Sequence, residues 1–120
     1  MHTMLAMPTL PWPLHSGRAV NAHHLAHALV ERGHCVTMLV KDAGATGWPL
    51  RGRVAVRVLE SRPGQVAAPH RVRRWMRYFG TEAWLPGAVA AACQELRPDW
   101  IEGASLDAPL WLSAVAPGGG

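Results

Sequence analysis

The feature that most constrains this chain is the order of patterns within its first forty residues. Residues 4–7, "MLAM", form a short apolar run that stops at the Pro-rich "PTLPWP", with Pro8 breaking the run. The pattern predicts a buried strand followed by a loop. Ala22, Leu25, Ala26, Leu29 and Val30 then recur at helical spacing between Ala19 and Arg32, with Ser16 placed as an N-cap and Gly33 as the stop. "CVTMLV" at 35–40 is β-rich and is closed by "KDAGATG", so it reads as a second strand. A strand, a helix and a second apolar strand in that order favour parallel pairing, because the helix is the crossover that returns the chain.

Beyond residue 40 the same grammar continues. "VAVRVL" (54–59) predicts a third strand and "HRVRRWMRYF" (70–79) a helix that is basic on more than one face. "TEAWLPGAVAAACQELRP" (81–98) opens on a Thr cap, with its regular part starting near Gly87. "DWIEG" (99–103) predicts a fourth strand and "APLWLSAV" (108–115) a last helix. The expected fold class is α/β, a Rossmann-like parallel sheet with helices on both faces. Right-handed crossovers would set strand 4 beside strand 1, on the side away from strand 2. A switch-point crevice then opens between the loop after strand 1 (8–18) and the loop after strand 4 (102–108). Strand 4 would be left as an open edge, with Trp111 and Leu112 incompletely covered and self-association expected.

Composition excludes several classes. Apolar residues at 49% and charged residues at 17% indicate a globular chain. No apolar run reaches the roughly 18 residues of a membrane span, and no Lys or Arg precedes the short run at 4–10, so a cytoplasmic protein is expected. Cys35 and Cys93 belong to no C-x-x-C pair and are expected as buried free thiols. The net charge of +4 is clustered: residues 51–77 hold eight arginines against the single acid Glu60. Such a stretch suits an anionic membrane surface, a phosphorylated lipid-linked acceptor, or a solvated face. Trp75 and Tyr78 would be available for stacking on nucleic acid, although no recognised nucleic-acid motif accompanies them.

Two short stretches compete for the chemistry. His23 and His27, four apart, share a helix face, as zinc-binding pairs do. The position after the first His is His24 rather than Glu, and no third ligand follows at a recognisable spacing, so the three histidines are expected at the surface with no metal. The other stretch is "HSGR" (15–18). Ser16 and Gly17 bring backbone N–H groups to a helix start, where an anion is favoured, and Arg18 adds a charged donor.

"PWPLHSGRAVNAHHLAHALVERGHCVTMLV" resembles the opening of the N-terminal domain of GT-B glycosyltransferases, especially glycosyltransferase family 4. "ALVERGHCVTML" is the most telling part, and "LRPDWIEGASLDAP" resembles the family's later strand and acceptor-side loop. Together the similar segments touch most of residues 4–42 and 95–112. The resemblance implies sugar transfer, with retention, from a nucleotide-sugar donor to an acceptor hydroxyl, without a cofactor or a bound metal. It carries the donor-diphosphate and acceptor contacts onto Ser16, Gly17, Arg18 and Ser105. The family has a second Gly where this chain has Arg18, and many relatives end the fourth strand on His where this chain has Glu102 and Gly103. No base is therefore assigned firmly, and Glu102 and Asp107 are the candidates by position. Residues 1–120 are expected to be a partial acceptor-side domain, lacking the donor-binding second domain and inactive alone. The competing readings are a non-catalytic anion- or nucleotide-binding module using the same crevice, and a nucleic-acid or membrane-surface binder acting through residues 51–77.

Overall fold

The computed structural model describes residues 1–44, 47–66, 69–104 and 108–115. Its elements run β1 (His2–Thr9), α1 (Gly17–Glu31), β2 (Cys35–Asp42), β3 (Ala55–Val58), α2 (His70–Phe79), α3 (Leu85–Leu96), β4 (Trp100–Gly103) and α4 (Ala108–Trp111). All four strands join one sheet in the order β3-β2-β1-β4, and every pairing is parallel. The fold is α/β and Rossmann-like, and β4 lies beside β1 as the pattern predicted. The described residues divide into two compact units, one drawn from 1–58 and 98–105, the other from 59–97 and 106–120.

The first unit is built on β1 and β2. In register, Leu5 meets Met38 and Met7 meets Val40, and these four side chains pack with Ala22 and Ala26 of α1. Small residues on α1 let its backbone sit close to the sheet, which favours dense packing. Met4, Ala6 and Leu39 point to the opposite face and are buried as well. Each of the leucine, methionine and valine side chains contributes roughly 1.5–3 kcal/mol when removed from water, so these two strands contribute substantially to the unit's stability. The centre of β1 and β2 therefore reads as a continuous apolar run rather than an alternation.

Local chemistry sets the boundaries of α1. The Ser16 hydroxyl accepts a hydrogen bond from the Ala19 N–H at 3.1 Å, which caps the helix. At the other end Gly33 takes φ 82°, and the N–H groups of Gly33 and His34 donate to Val30 and Leu29 at 3.0 Å. β1 is longer than expected. Pro8 lies inside it near the end, where the ladder passes from the Met7–Val40 pair to the Thr9–Asp42 pair and a missing N–H does little harm.

In the second unit, Val72 and Met76 of α2 pack with Leu110 of α4. α3 begins at Leu85, two residues before the expected start, because Pro86 sits in its first turn, where no N–H is needed. Its N-cap is Trp84, so Thr81 does not cap it. α4 ends at Trp111 rather than 115. Trp111 is buried, contrary to the expectation that it would be poorly covered, whereas β4 does lie at the sheet edge, with Trp100 60% exposed. Cys35 is exposed at the first position of β2, which corrects its expected burial. Cys93 is half-buried, and burial pushes its thiol pKa up.

Candidate functional site

The register between β1 and β4 determines which side chains enter the candidate site. Leu5 faces α1, and its partner across the ladder is Glu102, so Glu102 projects on the α1 side of the sheet. The Ala104 N–H donates to the Ala6 carbonyl at 2.9 Å and holds the chain just past β4 against β1. On α1, Asn21 and Ala22 lie three and four residues after Arg18, and Leu25 lies four and three after them, so all four share a stripe. These two sets of residues enclose a cleft of about 250 Å³, lined by Leu5, Arg18, Asn21, Ala22, Leu25 and residues 102–104.

The cleft is polar at its rim and apolar at its floor. Arg18 and Glu102 are both exposed, and neither pairs with a charged group among the described residues. One side therefore offers a guanidinium fork for an anion, and the other a carboxylate able to accept a hydroxyl hydrogen. Asn21, three residues after Arg18 on the same helix, can both donate and accept. A volume just under the roughly 300 Å³ lower end of small-molecule pockets suits one small ring, with a charged group held at the rim, rather than a whole nucleotide-sized ligand.

Of the residues expected at the site, Arg18 and Glu102 come together here. Ser16 and Gly17 stand at the start of α1 but do not line the cleft. The Ser16 hydroxyl is engaged in the helix cap, and open space lies ahead of Gly17, where an added Cβ would meet no atom within 4 Å. Ser105 and Asp107 lie outside the described residues. Asn21 and Leu25 were missed by sequence reasoning. Leu25 fits the apolar helix pattern yet is partly exposed, and the spacing from Arg18 through Asn21 to Leu25 is the signal that could have placed them on one stripe.

The rival stretch has a different role from the one expected. His24 and His27 are exposed, but His23 is half-buried and accepts the indole N–H of Trp48 on Nδ1 at 3.0 Å. Trp48 lies in the connection between β2 and β3 and is 3% exposed, so the His23 ring anchors a buried indole rather than facing water. No group of three or more potential metal ligands occurs among the described residues. Burial lowers the His23 pKa below the ordinary histidine range, and repulsion from His24 and His27 adds to the effect. Protonation would also convert Nδ1 from acceptor to donor and leave the Trp48 N–H without a partner.

The folded state thus favours neutral His23. Its contribution is complete above the unfolded histidine pKa of about 6.5 and is lost as the pH falls through the lower folded value. The melting temperature is expected to drop between roughly pH 7.5 and pH 5, and the drop should be smaller in His23→Gln. Thermal melts of both chains across that range measure it.

The arginine stretch 51–77 is divided by the fold. Arg51, Arg53 and Arg57 belong to the first unit, and Arg53 pairs with Glu31 at 2.9 Å. The second unit holds Arg62, paired with Glu60 at 3.2 Å, and the four arginines of α2. Comparison with protein families, with characterised proteins and with solved structures finds no match to this chain.

Proposed function

We propose that the chain is the acceptor-side, Rossmann-like portion of a GT-B glycosyltransferase, and that the β1–β4 cleft positions the reacting groups of sugar transfer. The observation that carries this reading is the placement of Arg18 and Glu102 across one small cleft at a parallel-sheet switch point. In such a transfer the acceptor hydroxyl oxygen bonds to the anomeric carbon of the donor. The bond from that carbon to the diphosphate oxygen breaks, and the hydroxyl proton leaves to a base. Arg18, at the N-terminal turn of α1, would hold the anionic group, aided by the helix dipole. Glu102 would orient the hydroxyl and accept its proton. Asn21 would fix the sugar through hydrogen bonds, while Leu25 and Leu5 receive an apolar ring face. Arg18 in place of the family's second Gly keeps the anion at side-chain length instead of against the backbone. Donor and acceptor are the partners in this reading, and no cofactor is invoked.

Calorimetric titration with a nucleoside diphosphate tests the assignment. Arg18→Ala is expected to weaken binding by roughly tenfold to a hundredfold, the range for losing a charge-assisted hydrogen bond. Glu102→Gln removes a repelling charge, so diphosphate binding should be unchanged or tighter. Equal affinity in wild type and Arg18→Ala would refute the role given to Arg18.

A further inference from the structure

The second unit carries a surface that the sugar-transfer reading does not use. α2 is a ten-residue helix, and the chain has no acidic residue between Glu60 and Glu82. Its apolar stripe, Val72 and Met76, is spent on packing against Leu110. What remains outward is unusual for a surface helix: Trp75 is 54% exposed, Tyr78 77% and Phe79 47%. At 3.6 residues per turn, Tyr78, Trp75 and Phe79 fall on one arc of about 100°, with Arg71 within it and Arg74 beside it. Arg73 and Arg77 lie across the helix, on the other flank of the buried stripe. The three rings form one contiguous patch: Trp75 meets Tyr78 edge-on at 6.2 Å, and Tyr78 meets Phe79 at 5.0 Å.

We infer that α2 is a membrane-surface docking element, which seats the Trp75–Tyr78–Phe79 patch among the headgroups of an anionic bilayer while Arg71 and Arg74 hold lipid phosphates. Charge complementarity identifies the partner, since the helix presents four guanidinium groups and no carboxylate to whatever approaches. The kind of apolar group agrees. Tryptophan and tyrosine, with an apolar body and a polar tip, settle at the membrane–water boundary, and arginine stems lie along apolar surface while their heads reach phosphate. No helix among the described residues is long and apolar enough to cross a membrane, so the contact is one of lying on the surface.

Ring geometry argues against one mode of single-stranded nucleic-acid binding on the same face, a base sandwiched between two of these rings. A base sandwiched between two rings needs roughly 7 Å between parallel planes, twice the contact distance. Here neighbouring rings stand at 79° and 85° to one another with centroids 6.2 and 5.0 Å apart, which leaves no such slot. The edge-to-face cluster is suited to entering a headgroup layer as one body.

Co-sedimentation of the full chain with lipid vesicles tests the inference. Phosphatidylcholine vesicles containing phosphatidylglycerol should pull the protein down, phosphatidylcholine alone should do so weakly, and added salt should release it. Arg71→Gln with Arg74→Gln should lower the affinity roughly 30-fold, and Trp75→Ala with Tyr78→Ala roughly tenfold. All four side chains are exposed, and unchanged far-ultraviolet circular dichroism of each variant confirms that the loss is at the surface. Equal binding to neutral and anionic vesicles, or undiminished binding by the aromatic variant, would overturn the proposal. So would an oligodeoxythymidine that binds more tightly than anionic vesicles and loses affinity in both variants, which would make α2 a nucleic-acid interface instead.

Discussion

Replacing Trp48 with alanine is expected to cost about 4 kcal/mol of folding free energy, within the range for emptying a buried tryptophan site. Trp48 is almost fully buried in the core shared by β1, β2 and α1, and its N–H donates to His23. Removing it leaves a cavity beneath the β2–β3 connection, which regular secondary structure cannot readily collapse to fill. Trp48→Phe separates the two contributions, because it keeps most of the apolar bulk and loses the hydrogen bond, for about 1 kcal/mol. A small domain holds only about 5–15 kcal/mol in total, so the alanine variant should show a much lower denaturant midpoint and the phenylalanine variant a modest shift. If the alanine variant unfolds at the wild-type midpoint, Trp48 is not the keystone that its burial indicates.

The second large effect is expected at Gly87, and its sign runs against helix propensity. In the first turn of α3, glycine to alanine would ordinarily gain up to about 1 kcal/mol. A Cβ at this position, however, would lie 2.3 Å from the Val66 carbonyl oxygen, a backbone atom that no side-chain rotation can move aside. Shifting that segment costs about 3 kcal/mol, the upper end of overpacking penalties, so Gly87→Ala should destabilise the chain by about 2 kcal/mol. Urea unfolding of the variant decides between the two signs. Gly17→Ala is the matched control, because open space surrounds that position.

Much of the architecture was legible because it depends on short-range pattern. The apolar runs at β1 and β2, the Ser16 cap, the Gly33 stop and the basic helix at 70–79 each announce themselves within a few residues, and parallel order follows from them. What escaped depends on contacts distant in sequence. Nothing near Trp48 says that it will meet a histidine 25 positions earlier, so His23 looked like one more surface histidine. Cys35 sits in an apolar run, yet it is the first residue of its strand, where the sheet leaves it exposed. The cleft was half legible. Topology placed Arg18 and Glu102 near each other, whereas the choice of Asn21 and Leu25 over Ser16 and Gly17 required the rotation of α1 on the sheet.

The central claim is that ligand binds where α1 faces the ends of β1 and β4. Amide chemical-shift mapping by nuclear magnetic resonance tests it most directly, with a nucleoside diphosphate and a simple sugar titrated separately into the labelled chain. The account predicts that both perturb Arg18, Asn21 and Leu25 on α1, Glu102 and Gly103 at the end of β4 and Ala104 just past it, and that Arg18→Ala removes the diphosphate response first. Perturbations confined to other residues, or no response to either compound, would contradict it.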